Sequence, residues 1–274
     1  GLMIPASSPI ARAHPEWLTT NQAGDIIPAP LSAHPLLPQP LKNFQMEISG
    51  GNLAWLNPMH PEVRQFLTDL IVDVVKRYPV DGIQLDDHFS LPMSMGYDPY
   101  SVQLYQDTHG GALPTDDHSA PDWVAWRAYA ITSLLADITQ AVKQVRPGVI
   151  VSVSPNPPGF AYRKYLQDWL QWVNLGIVDE IVVQLYRDDL SVFEKDLYNS
   201  GFHDLRSQIP IAIGLYTGPL SAAKDFNRTI DEISAVQQAG YGGVAFFSWE
   251  TTFWLLKRAT DLEVKQTLLR LFQP

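Results

Sequence analysis

Asp81-Gly82-Ile83-Gln84-Leu85-Asp86-Asp87-His88-Phe89 decides the fold. Apolar and polar residues alternate through it, the period of a β-strand whose two faces meet different surroundings. Ile83, Leu85 and Asp87 share one face, and Gln84, Asp86 and His88 share the other. Upstream, Pro61 to Tyr78 carries Val63, Phe66, Leu67, Leu70, Val74 and Val75 on one helical face and stops at Pro79. Downstream, a loop over 90–120 precedes a long helix from Trp123 to Val145, closed by Pro147-Gly148.

The alternation then repeats. Strands are expected at 149–154, 180–186, 210–216 and 243–249. Helices are expected at 162–175, 192–200, 227–239 and 262–272. Strand then helix at this spacing means parallel strands joined by helical crossovers. A doubly wound sheet would carry a glycine-rich phosphate turn after its first strand, and no G-x-G-x-x-G is present. The alternative is a (β/α)8 barrel, whose working residues sit at the C-terminal strand ends. The strand parities favour it. Val149, Val151 and Val153 oppose Ile150, Ser152, Ser154 and Asn156. Ile181, Val183 and Leu185 oppose Val182, Gln184 and Tyr186. Ile211, Ile213 and Leu215 oppose Ala212, Gly214 and Tyr216. One face of each strand is branched and apolar; the other is small below and polar at its end, as a lumen opening into a polar mouth requires. The 243–249 strand is apolar on both faces, so its phase stays open.

Residues 1–61 read as mostly irregular, with a short helix at Pro9–His14 and short strands at Phe44–Ile48 and Leu53–Leu56. Proline is abundant, 22 residues, and clusters in 28–61.

The chain has 274 residues, 46% hydrophobic and 18% charged, enough for one large domain and too apolar for disorder. It is read as a single barrel domain over 1–274. No run approaches the ~18 apolar residues of a membrane-spanning helix. Nineteen basic against twenty-nine acidic residues give a net charge of −10, which argues against a nucleic-acid partner. The absence of cysteine removes disulfides, thiolate metal sites and thiol nucleophiles. No signal peptide is visible. The opening Gly1-Leu2-Met3-Ile4-Pro5, without an initiator Met, suggests that something upstream has been removed. No cofactor is expected.

Asp86 is the first candidate for chemistry. A carboxylate at the end of a buried strand, pointing into the lumen, is costly unless paired or used. Glycoside hydrolysis normally takes two carboxyl groups, ~5–5.5 Å apart for retention and ~6.5–9.5 Å for inversion. The second is open among Asp87, Asp188, Asp189 and Glu250. Asn57, His88, Asn156, Gln184, Tyr186 and Tyr216 are candidates to bind sugar hydroxyls, with Trp249 or Trp55 to stack on a ring. The 90–120 loop is expected over the site, with Met93, Met95, Tyr97 and Tyr100 as contacts. Asp86, Asp87 and His88 also permit a metal-dependent hydrolase, although no spaced second ligand cluster supports a metal. A serine triad is not supported: Ser152 and Ser154 lack the elbow and a readable histidine.

An ordered set of motifs adds to this. Trp55-Leu56-Asn57-Pro58, His60-Pro61-Glu62-Val63-Arg64, Tyr78-Pro79-Val80-Asp81-Gly82-Ile83-Gln84-Leu85-Asp86-Asp87-His88, Ser152-Val153-Ser154-Pro155 and Val178-Asp179-Glu180-Ile181-Val182-Val183-Gln184-Leu185-Tyr186 together resemble the bacterial glycosyl-hydrolase-like family 10, over residues 1 to about 255. The resemblance implies a (β/α)8 barrel and a mostly exported protein. It also implies action on glycan chains, including those of peptidoglycan. Pro5-Ala6-Ser7-Ser8 and His14-Pro15-Glu16-Trp17-Leu18-Thr19 resemble the segment after an early barrel strand, which would place the first two to three strands upstream of Gly1. The Asp86 motif is also similar to the fourth-strand motif of family 18 chitinases, but His88 stands where their catalytic acid would be. That fits Asp86 better as a nucleophile or base, as in the α-amylase-like clans, although Ser154-Pro155-Asn156 holds no fifth-strand acid. The expected activity is hydrolysis of a bacterial polysaccharide or peptidoglycan glycan strand; a non-catalytic carbohydrate-binding barrel is the alternative.

Overall fold

A computed structural model of the chain describes residues 1–27, 52–218 and 224–248, with Gln266 and Leu269 as two further helical positions. The described residues fall into two compact units, one ending at Asp179 and one beginning at Glu180.

In the first unit the short strand expected at Leu53–Leu56 and the short helix expected at Pro9–His14 are both present, and one further strand joins them. Strand β1 (Met3–Pro5) pairs antiparallel with β2 (Leu53–Trp55), Met3 opposite Trp55. β1, at three residues, carries too little periodicity to be read from sequence. Between them, helix α1 (Pro9–Ala13) starts at Ser8, whose hydroxyl accepts from the Ala11 N–H. The expected strand at Phe44–Ile48 lies outside the described residues.

Helix α2 (Pro61–Arg77) has proline at its first turn and buries Val63, Leu67 and Val75. The Tyr78-Pro79 step ends it, because the residue before proline is pushed out of the helical region. The guanidinium of Arg146 then donates to the carbonyls of Val75 and Tyr78 at that end. Strand β3 (Gly82–Asp86) follows, then α3 (Pro99–Thr108), α4 (Pro121–Val145), β4 (Ile150–Ser154), α5 (Pro158–Tyr165) and α6 (Trp169–Asn174). β3 and β4 are parallel, with Gln84 opposite Ser152 and Asp86 opposite Ser154. The Gln84 amide donates to the Ser152 hydroxyl at 2.9 Å, so these two side chains share a face, as their parity requires. The opposite face, Val149, Val151 and Val153, is fully buried.

Three expectations change in this unit. The strand read over 81–89 stops at Asp86, and residues 87–89 form a turn. The 90–120 stretch is not all loop, since Asp98 caps α3 by accepting from the Ser101 N–H. The helix read over 162–175 is two helices. The break is at Leu166, whose left-handed backbone (φ 55) is unusual for a leucine. Its side chain is fully buried, and the chain reverses so that Gln167 turns inward.

The segment after β3 is held from beneath by Arg127 on α4. This buried guanidinium donates to the carbonyls of Met93 (2.5 Å), Met95 (2.6 Å), His118 (2.5 Å) and Trp123 (3.1 Å), and lies 4.8 Å from the Trp123 ring centroid. Burial lowers its pKa to about 10, so it stays charged at neutral pH. No periodicity announces such a residue. It occupies an apolar helix face and solvates itself on distant carbonyls.

The second unit contains β5 (Glu180–Gln184), α7 (Leu190–Asn199), β6 (Ile211–Tyr216), α8 (Phe226–Gln238) and β7 (Gly243–Phe247). The three strands are parallel in the order β5-β6-β7, with Gln184 opposite Gly214 and Tyr216 opposite Phe247. A Cβ at Gly214 would stand 3.3 Å from the Gln184 Cα and the Val183 carbonyl, so a side chain there would crowd the neighbouring strand. Ile181, Val183, Leu185, Ile211, Ile213 and Leu215 are buried, as the parity reading expects. Asp189 and Asp225 cap α7 and α8. The expected helix at 262–272 falls mostly outside the described residues.

Candidate functional site

The C-terminal end of β3 carries the first group. Asp86 is the last strand residue, and the chain turns back at once, the Phe89 N–H donating to the Asp86 carbonyl at 3.0 Å. Inside this turn Oδ1 of Asp86 accepts from the His88 N–H at 3.1 Å, and Oδ2 lies 3.1 Å from Nδ1 of His88. Both contacts are local, the Asx-type geometry that lets an Asp end a strand. The Asp86 carboxylate remains open to solvent, its side chain 51% exposed.

Each charge tunes the other. Burial raises the Asp86 pKa, but the hydrogen bond and charge of His88 outweigh it and the net direction is down. Burial pulls the His88 imidazole down, but the Asp86 hydrogen bond and the charges of Asp87 and Asp86 raise it overall.

Because the strand ends at Asp86, Asp87 is not forced to the helix-facing side by alternation. Its side chain is 22% exposed, and Oδ2 accepts from the Asn156 amide at 3.1 Å. Asn156 is itself buried, and its carbonyl takes the Trp169 indole N–H at 3.0 Å. Asn156 therefore orients Asp87 rather than presenting an open amide. One carboxylate oxygen from each of Asp86 and Asp87 and a ring nitrogen of His88 lie within 4.8 Å of one another.

Asn57 does not belong to an open surface. It is fully buried; its amide donates to Asp98 (2.8 Å) and the Ser101 hydroxyl (3.0 Å), and its carbonyl oxygen accepts from the Met59 N–H. Thr19 donates to the same buried Asp98 at 3.0 Å. An Asn-Pro pair is as compatible with such a junction as with a sugar contact, and only the packing tells them apart. Trp55, expected as a stacking surface, is 5% exposed and lies in the core. Of the residues expected in the 90–120 loop, Met95 is buried, Tyr97 packs on Trp123 with centroids 5.3 Å apart, and Tyr100 lies beside His60.

The strand ends of the second unit carry aromatic groups. Tyr186 follows β5, Tyr216 ends β6 and Phe247 ends β7. The Tyr186 ring lies 5.8 Å from Phe247 at 26° and 6.1 Å from Tyr216. Burial, then the charge of Asp188, pushes the Tyr216 phenol up to about 12. Phe247 is 37% exposed, the open member of the group. Sequence reading passed over it because both faces of its strand are apolar. Gln184 ends β5 and is partly exposed. Asp188 is exposed, whereas Asp189 accepts from the Val192 N–H and the Ser191 hydroxyl as a helix cap. Trp249 and Glu250 lie outside the described residues.

A family model described as glycosyl hydrolase-like 10 matches residues 1–233. The chain belongs to that family. Glycosyl hydrolase DigH of Escherichia coli K12 is 32% identical over 155 residues, covering 50% of this chain and 33% of DigH. Glycosyl hydrolase YngK of Bacillus subtilis is 28% identical over 152 residues, covering 50% of this chain and 28% of YngK. The chain thus spans about a third of the length of these relatives. The glycoside hydrolase domain of PgaB (BpsB) from Bordetella bronchiseptica superimposes with a TM-score of 0.60 at 12% identity, covering 77% of this chain and 63% of that domain. At that identity the likeness speaks for the fold, and the fold class is the (β/α) barrel that the strand parities indicate.

Proposed function

We propose that the chain is the barrel domain of a glycoside hydrolase that cleaves a bacterial polysaccharide or a peptidoglycan glycan strand, with Asp86 as its principal carboxylate. The observation that carries this reading is the Asp86 carboxylate itself. It terminates a parallel strand, stays open to solvent, and is held ionised by His88 in a family whose named relatives are glycosyl hydrolases. An ionised carboxylate at that place can attack an anomeric carbon or stabilise an oxocarbenium-like transition state. Asp87, steadied by Asn156, is the second carboxyl of the same turn. Glu250 and Asp188 remain further candidates for that role. Within the first unit His88 is assigned a hydroxyl contact beside Asp86; within the second, Gln184, Tyr186 and Tyr216 are assigned hydroxyl contacts, and Phe247 and Trp249 stacking surfaces. Export follows from the glycan substrate and belongs to the same proposal.

The test is a panel of defined bacterial glycans, incubated with wild type and Asp86→Asn and read by mass spectrometry of the released chains. Cleavage by wild type alone upholds the reading. Binding without cleavage by both proteins would instead make this a carbohydrate-binding barrel.

The clustering of Asp86, Asp87 and His88 within 4.8 Å favours a second reading, a metal-dependent hydrolase. Activity lost on chelation and restored by one divalent cation would carry that reading over the first.

A further inference from the structure

The turn bearing Asp86, Asp87 and His88 is closed locally, but it is clamped from a distant part of the chain. Gln167 sits in the break between α5 and α6 and is 1% exposed. Its Nε2 donates to the Asp86 carbonyl at 3.3 Å and to the Phe89 carbonyl at 3.2 Å. These are the first and last residues of the turn, so one amide group spans it. Another turn carbonyl, that of His88, accepts from the Leu2 N–H at 2.8 Å. Since both partners of Nε2 are carbonyl oxygens, only a donor fits there, which fixes the orientation of the amide.

The other half of the Gln167 amide is left without return. Its Oε1 is buried and has no hydrogen-bond partner among the described residues. A buried acceptor left unpaired costs stability. A residue serving packing alone would be replaced at little loss by an apolar side chain of the same length. The amide is useful here only for its two donors, and both are spent on the turn.

We infer that Gln167 is a positioning residue: it holds the Asp86–Phe89 turn in the conformation that brings the His88 imidazole onto the Asp86 carboxylate. This rests on the reading of Asp86 as the working carboxylate only for its effect on turnover; the effect on geometry stands without it. The charged groups facing His88 are Asp86 and Asp87 of its own turn, and Tyr165 faces Asp87 from α5. None of these is altered by changing Gln167.

The experiment is Gln167→Met, which keeps length and removes both donors, with Gln167→Asn as a second variant whose shorter amide cannot span the turn. Amide hydrogen exchange at His88 and Phe89, whose N–H groups donate to the Asp86 side chain and carbonyl within the turn, is measured by NMR in labelled protein. In both variants exchange at these two amides quickens at least tenfold while α4 keeps its protection, and the melting temperature falls by a few degrees because the Phe89 carbonyl loses its donor. Turnover on a cleaved glycan falls between roughly tenfold and a hundredfold, with KM nearly unchanged, as expected for a displaced catalytic group. If Gln167→Met does not fold, Gln167→Asn is read in the same way. Unchanged exchange at both amides in a folded variant overturns the inference. If wild type cleaves nothing, the hydrolase reading fails, and the exchange measurement still decides the role of Gln167.

Discussion

The Nδ1 of His88 lies 3.1 Å from Oδ2 of Asp86, two residues back and across a turn that closes as soon as the strand ends. The contact places a cation-forming group against a solvent-open carboxylate. It makes the Asp86 side chain an ionised group of defined orientation rather than a free surface acid.

Asp86→Asn should remove that function and leave the fold. Asn is close in shape and can keep the local turn contacts, so the melting temperature should stay within a few degrees. Turnover on a cleaved glycan should fall roughly 10³-fold or more, about 4 kcal/mol of barrier. A destabilised variant with normal turnover per folded molecule would sink the assignment.

The Asp86–His88 contact has a definite pH signature. The folded His88 pKa is raised above its ordinary 6.5, so its contribution is complete below 6.5 and is lost as pH rises through the higher folded value. The folded Asp86 pKa is lowered below 3.8, so its contribution is present above 3.8 and is lost as pH falls through the lower folded value. The stability lost on His88→Gln should therefore be greatest between about pH 4 and 6.5 and fade at alkaline pH. Solvent screening of this half-exposed pair keeps it under about 1 kcal/mol. Urea denaturation of both proteins at pH 5 and pH 9 measures it; an equal difference at the two values would contradict the contact.

Asn57→Ala should act on stability, not on substrate. It strips Asp98 and Ser101 of a donor inside the core, a loss of about 2–3 kcal/mol. KM should be unchanged for the folded fraction. A raised KM at unaltered stability would return Asn57 to the sugar-binding group.

Arg127→Lys should destabilise by roughly 2–3 kcal/mol although the charge is kept. An ammonium cannot reach the spread of carbonyls that the planar fork satisfies, and unpaired buried carbonyls are costly. Hydrogen exchange should then quicken around Met93 and Met95 ahead of the helices. Uniform exchange across the unit would mean that Arg127 does not hold this segment.

Phe247→Ala should weaken glycan binding with little loss of stability, because the ring is partly exposed. A stacking face of this kind contributes about 1 kcal/mol, several-fold in KM. Unchanged KM on every cleaved glycan would remove Phe247 from the binding surface.

Much of this was legible in the chain as written. Alternation and 3.6-residue periodicity are local properties, so the parallel strands, their buried faces and the place of Asp86 in the C-terminal half of its strand followed from residue order alone. The ordered motifs that led to the family are equally local. What only the tertiary structure decided lies in contacts between distant residues: the clamp from Gln167 onto a turn 81 positions earlier, the burial of Asn57 against Asp98, and the carbonyls gathered by Arg127. Even the strand's end at Asp86 was ambiguous in sequence, since Asp87 and His88 continue the alternation. A side chain's hydrogen-bonding type is written in the sequence, but its partners are set by which backbone groups the fold leaves unpaired, and that is a property of packing rather than of order.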